Sequence, residues 1–188
     1  MRYFFGFVAS IGLIVLVFIL VLRGFGSKSN PQSQNPLTDY ANSSTVMRMT
    51  VDGPIVGDQQ HQAYRITVSR DQILIETLQG YNYSPIATQT YENTQQGYTN
   101  FLRAIDLAGY TKGNTKASGQ ANDERGVCAS GDRFIFEILS GGSQIQRYWA
   151  TTCNGTGTFK GNKATVKHLF DRQVPIPDYS KLVGHLNL

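Results

Sequence analysis

Two cysteines, Cys128 and Cys153, bracket two strand-like runs, and that bracket constrains the fold more than any other feature of the 188-residue chain. The runs cover residues 133–139 and 144–151 and are joined by Ser140-Gly141-Gly142-Ser143. Glycine adopts the positive φ of a tight hairpin turn without steric cost. A turn centred between Gly141 and Gly142 sets Ile138 opposite Ile145, Phe136 opposite Arg147 and Phe134 opposite Trp149. Extended outward, the same register brings Cys153 opposite Ser130, two residues from Cys128. Side chains alternate between faces along a strand, so both cysteines fall on the face of Phe134 and Trp149. The spacing predicts a disulfide that closes the open end of a hairpin. The loop so closed, about 25 residues, is worth about 3.5 kcal/mol by the chain-entropy relation. A small domain is held together by only about 5–15 kcal/mol in total.

Disulfides persist in oxidising compartments, and the N-terminus offers a way out of the cytoplasm. Residues 3–22 are twenty in a row without a charge, ended by Arg23. As a helix they would rise about 30 Å, enough to cross a hydrocarbon core. A cleaved signal has a shorter apolar core and a small-residue site after it. Here Arg23 and Gly24-Phe25-Gly26 follow, so residues 1–23 predict an uncleaved transmembrane anchor. Gly6-Phe7 resembles a pilin-type cleavage junction, but Ile11 stands where that family carries an acid. Basic residues flank the apolar run on both sides, which leaves the charge rule for orientation nearly balanced. The cysteine pair decides it: the C-terminal part is expected outside the cytoplasm.

The formal charge of +4 has the same origin. Arg2, Arg23 and Lys28 carry three of the positive charges, and from Pro31 onward 14 basic residues face 13 acidic ones. A nucleic-acid binder shows its basic face on the domain itself, so no nucleic-acid partner is expected.

Residues 24–44 are dominated by Gly, Ser, Asn, Gln and Pro and read as a flexible polar linker. The domain is then expected over 45–179. Residues 46–51 predict a strand ended by Asp52-Gly53-Pro54. Residues 64–69 and 72–78 predict a hairpin pairing Val68 with Ile73, Ile66 with Ile75 and Tyr64 with Thr77. Leu74 and Leu78 lie on its opposite face, which predicts a sheet partly covered on both sides. Residues 80–85 read as an aromatic loop. Exposed tyrosines there, Tyr81 and Tyr83, suit stacking on a sugar or a partner surface; the same rings can instead cap the core edge. Residues 93–108 predict the main helix, with Asn93 and Gln96 as a capping box and Tyr98, Phe101, Leu102, Ile105 and Ala108 as its buried stripe. Residues 110–126 read as a surface loop whose Asp123-Glu124-Arg125 is a solvated charge cluster. Residues 163–173 suggest a short helix, with Lys163 and Lys167 in a basic patch fit for an anionic partner. Residues 174–179 are expected to close the domain in extended form, and 180–188 to be a loose tail.

Chemistry is sparse. His61, His168 and His185 lack metal-ligand spacing with one another or with a cysteine, and no phosphate-cradling glycine loop or nucleophile elbow is present. No metal and no cofactor is expected. One catalytic resemblance exists. An anchor, a linker, a β-rich domain of this size and a Thr-Cys at a strand end resemble a sortase, whose nucleophile closes a Thr-Leu-x-Thr-Cys motif. The chain has Trp149-Ala150-Thr151-Thr152-Cys153, which shares only the final Thr-Cys. The resemblance implies Cys153 as nucleophile, with His61 and Arg172 as the rough candidates for its partners. A nucleophile must be a free thiolate, whereas the hairpin spacing gives Cys153 a partner.

These readings combine into one expectation. The chain is a single-pass membrane protein with one extracytoplasmic α+β domain, an antiparallel sheet of two hairpins plus a further strand packed on one main helix. Its expected role is that of a cell-envelope module that binds a protein or polysaccharide, through Tyr81, Tyr83, Lys163 and Lys167. The alternative is a cysteine transpeptidase or hydrolase using Cys153.

Overall fold

The computed structural model describes residues 36–114, 122–153, 157–184 and 186. The expected anchor and most of the expected linker lie outside the described residues. Among the described residues, no helix is long and apolar enough to cross a membrane.

The domain is α+β, with six antiparallel strands in the order β4-β3-β2-β1-β5-β6. These are β1 (Val46–Asp52), β2 (Gln62–Val68), β3 (Gln72–Gln79), β4 (Ser84–Glu92), β5 (Arg133–Ser140) and β6 (Ser143–Thr151). Among the described residues, three α-helices follow or interrupt them: α1 (Gln95–Leu107), α2 (Lys163–Asp171) and α3 (Ile176–Val183). The expected single strand, β1, is central, paired with β2 on one side and β5 on the other.

Alternation along the strands divides the sheet into two unlike faces. Met47, Met49, Val51, Ile66, Phe134, Phe136 and Ile138 face the helices and form the main core. The α1 stripe Tyr98, Phe101, Leu102 and Ile105 packs onto them, joined by Val166 and Phe170 of α2. Phe101 and Phe170 meet edge to face at 5.0 Å, a geometry worth about 0.5–1.5 kcal/mol beyond the area it buries. The second face carries a smaller buried set, Ala63, Leu78, Ile135 and Trp149. Charges partly cover that set, with Arg48 and Arg147 each 3.9 Å from Glu137, and Arg65 3.8 Å from Glu76.

The β2–β3 hairpin has the expected register, Val68 with Ile73, Ile66 with Ile75 and Tyr64 with Thr77. The β5–β6 hairpin differs. Ser140 pairs with Ser143 and Leu139 with Gln144, as expected, but Ile138 then pairs with Gln146. Ile145 is an extra residue, a β-bulge, and every pair beyond it moves by one. Phe136 stands opposite Tyr148, Ile135 opposite Trp149 and Phe134 opposite Ala150. Phe134 therefore faces the helices while Trp149 lies on the second face. The cysteines nevertheless meet, with an S–S distance of 2.11 Å and Cα atoms 5.6 Å apart. Strand alternation does not govern Cys128, which sits in a turn with φ +57°.

Four further elements depart from expectation. The edge strand β4 occupies residues 84–92, of which only the first two belonged to the expected aromatic loop. It is exposed along most of its length, so no apolar alternation marks it, and an edge strand accommodates Pro85. Residues 37–42, expected as linker, form a 3-10 helix whose Leu37 is 1% exposed and belongs to the core. Residues 176–183 form α3 instead of an extended closure, because Pro175 and Pro177 stand at the helix start, where proline is tolerated. Val183 and Leu186, expected in a tail, are buried. Finally, Thr94 rather than Asn93 caps α1, accepting from Gly97 N at 3.0 Å, while Asn93 Nδ2 donates to Ser69 O.

Candidate functional site

At one end of the second face, the ends of β1, β2 and β5 bring three polar side chains together. The register sets Asp52 opposite Arg133, and His61 immediately precedes β2. Asp52 Oδ1 lies 2.7 Å from His61 Nε2 and Asp52 Oδ2 accepts from Arg133 Nε at 2.8 Å. Arg133 also donates to the carbonyls of Gly53 and Val127. His61 Nδ1 stands 3.1 Å from the Pro54 carbonyl, so acceptors hold the ring from both edges. His61 is fully buried and Arg133 is 1% exposed. A buried charge persists only when paired and hydrogen-bonded, and each partner here supplies that to the others.

This cluster is the floor of an aromatic site. The Tyr81 ring stacks on His61 at 4.1 Å between centroids with 15° between planes. Its hydroxyl donates to Val56 O at 2.8 Å and accepts from Val56 N at 3.2 Å. Its own N–H donates to Asp58 Oδ1 at 2.9 Å. With ring face, hydroxyl and backbone all fixed, Tyr81 is still 45% exposed. Tyr83 follows at φ +52°, a strained conformation for a bulky residue that costs about 1–3 kcal/mol and needs its surroundings to hold it. Its N–H donates to Gly80 O at 3.0 Å, and the Arg65 guanidinium lies 5.5 Å from its ring centroid. Burial, with Asp52 and Glu124 nearby, pushes the Tyr83 phenol up, so it remains a hydroxyl donor at neutral pH.

The two tyrosines, Asp52 and Arg133 line a cavity of about 290 Å³, with Ile55 on one rim and residues 124–126 as the opposite wall. That wall belongs to the loop expected to be a solvated charge cluster. Glu124 is instead 5% exposed and ion-paired with Arg147. Beyond the Glu124–Arg147 pair, the wall is tied down in three more ways: Ile55 N donates to Ala129 O at 2.8 Å, Arg133 reaches Val127 O, and Cys128 is bonded to Cys153. The disulfide thus anchors one side of the cavity. In that bond Cys153, the residue the sortase resemblance would make the nucleophile, is held as a disulfide and not as a free thiol.

Of the residues expected to bind, Tyr81 and Tyr83 line this cavity and the lysines do not. Lys163 and Lys167 lie on the helix side of the sheet. Lys163 Nζ donates to Thr151 O and sits 5.9 Å over the Phe134 ring. Lys167 pairs with Asp171 at 2.7 Å and lies 5.6 Å over Tyr64. Its burial pushes the amine down, but Asp171 and Tyr179 outweigh that and hold it above the ordinary lysine value. Asp52, Glu124 and Arg133 are the site residues that sequence reasoning missed, and His61 was singled out only as a rough candidate partner of Cys153. Asp52 read as a turn residue and Arg133 as a strand start. Only knowledge that β1 and β5 are neighbours would have joined them.

Among the described residues, no group of three or more His, Cys, Asp and Glu side chains is placed to hold a metal ion. Neither known protein families nor curated proteins give a match to this chain.

Proposed function

We propose that this protein is a membrane-anchored module of the cell envelope, with its α+β domain outside the cytoplasm, that binds a protein or polysaccharide partner in the tyrosine cavity. The observation that carries the reading is Tyr81: a half-exposed ring backed by His61 and fixed at its hydroxyl. Preorganisation of this kind lowers the entropic cost of binding, and a packed interior gains nothing from leaving such a ring half in solvent. The uncharged stretch 3–22 supports the anchor, and the disulfide supports an oxidising compartment.

The test is a cross-linked pull-down with the whole chain expressed in its native envelope, compared with Tyr81→Ala. An envelope component retained by the native chain and lost with the variant is the expected result. Equal recovery with both removes the cavity from the reading. Protease treatment of spheroplasts, which bare the cytoplasmic membrane, checks the orientation, since cleavage of the domain only after that membrane is permeabilised would place it inside.

A further inference from the structure

The turn bearing the two tyrosines separates two cavities. Tyr81 and Tyr83 point to the one already described, while Gly80, Asn82 and Ser84 line a second, of about 560 Å³. The second cavity is walled by amides, Gln59, Gln60 and Gln79 with Asn82, and by Asp58. A single ligand could therefore lie across the turn, with an apolar face on Tyr81 and hydrogen-bonding groups among the amides.

The ionised groups lining both cavities are already occupied within the fold. Asp52 is held by His61 and Arg133, Glu124 by Arg147, Arg125 by Asp123, and Asp58 by the Tyr81 N–H. Asp58 has no counter-ion among the described residues, but both lining cations, Arg133 and Arg125, are paired, so no free cation is left to offset the desolvation of an anionic ligand. Gln79 Nε2 already donates to Gln59 O, which leaves its carbonyl oxygen as an acceptor, while the other amide side chains carry both donors and acceptors; together they match a ligand whose hydroxyls are both. The first cavity, about 290 Å³, is at the small end for ligand pockets and admits one ring.

From this we infer that the ligand is a polysaccharide without anionic groups, with one sugar ring stacked on Tyr81 and the following units among Gln59, Gln79 and Asn82. The inference rests on the proposed binding role of the tyrosine cavity and adds the chemical class and the direction of the chain. It predicts that affinity grows with chain length and that the two cavities can be weakened separately.

The experiment is calorimetry on the whole chain in a zwitterionic detergent, since glycosidic detergents would compete. The probes are neutral cello-, malto- and chito-oligosaccharides from monosaccharide to hexasaccharide, with oligogalacturonate as the anionic counterpart. At least one neutral series should bind, more tightly as it lengthens. Tyr81→Ala should weaken every length about tenfold or more, while Tyr81→Phe, which keeps the ring, retains most of the affinity. Gln79→Ala should weaken the long oligomers and leave the shortest unchanged. Thermal melts of each variant separate lost binding from lost folding. Preference for the anionic oligomer, affinity independent of length, or no binding by any neutral series overturns the inference. In each of those cases a Tyr81-dependent pull-down still stands for the cavity, so the ligand class and the site fail separately.

Discussion

At the scale of single residues, the site is built from groups that only tertiary contact could join. Arg133 and Asp52 are 81 positions apart, and neither belongs to a motif. Tyr81 and Tyr83 were legible because two tyrosines in a Gly-Asn-Ser-Pro loop are conspicuous by themselves. Arg133→Met tests how far the cluster holds the fold. Breaking a buried ion pair costs about 3–5 kcal/mol when the remaining charge is stranded. Here His61 still holds Asp52, so the expected loss in urea denaturation is about 3 kcal/mol, the low end. A loss well under 1 kcal/mol would mean that the pair does not contribute. Asp132, at the adjoining end of β5, gives a pH-dependent test. Burial raises its carboxyl above the ordinary value; Lys167 and Arg133 oppose this without cancelling it, and Asp52 adds to it. The folded state then binds a proton more readily than the unfolded chain, so stability falls as pH rises from the unfolded aspartate value through the folded one. The penalty is complete at neutral pH and absent in acid. Asp132→Asn should raise the melting temperature at neutral pH and leave it unchanged below about pH 3.9, the unfolded aspartate value. The backbone bonds of Asp132 with Thr152 survive that substitution.

At the scale of elements, legibility followed how much each segment depends on its own side chains. The β2–β3 register could be read because both strands alternate cleanly and the turn at Arg70-Asp71 fixes the pairing. The α1 stripe could be read because four of its apolar residues share one buried face. The edge strand β4 could not be read, since it is paired on one side and exposed on both faces, and so needs no apolar pattern. Pro175 and Pro177 disguised α3, being equally compatible with extended chain. The bulge was invisible because Ile145 is as good a strand residue as Ile138, and nothing local says that it is 50% exposed and unpaired. Deleting Ile145 isolates this point. The turn pairs Ser140–Ser143 and Leu139–Gln144 would remain, Gln146 would follow directly, and every pair from Ile138 outward would keep its present partner. The expected outcome is a domain that still forms its disulfide, with stability changed by less than about 1 kcal/mol, as for other surface changes clear of the core. Inserting one residue between Tyr148 and Trp149 should instead exchange the two faces at the outer end of β6. Thiol titration of both variants decides the matter, since free thiols in the deletion variant would show that the bulge sets the cysteine geometry.

At the scale of the whole molecule, the two sheet faces divide the work. The helix face carries the apolar core, while the second face is held by paired charges and carries the cavity. Its far wall, residues 124–131, contains no strand or helix and depends on tethers. Two are hydrogen bonds, from Ile55 N to Ala129 O and from Arg133 to Val127 O, each worth about 1 kcal/mol, or somewhat more where the guanidinium donates. The third is the Glu124–Arg147 ion pair, and the fourth, which is covalent, is the Cys128–Cys153 bond, worth about 3.5 kcal/mol by loop closure. Its loss should therefore be felt unevenly. With Cys128→Ala and Cys153→Ala combined, global stability is expected to fall by about 3 kcal/mol in denaturant. Amides of the strands that exchange through global unfolding should accelerate in step with that loss, and those of 124–131 should accelerate further through local opening. Because Glu124 and Gly126 line the cavity with Tyr81, cavity binding should weaken under conditions where the sheet is still fully folded. Acceleration in 124–131 no greater than in the strands would show instead that the hydrogen bonds and the Glu124–Arg147 pair suffice to hold the wall.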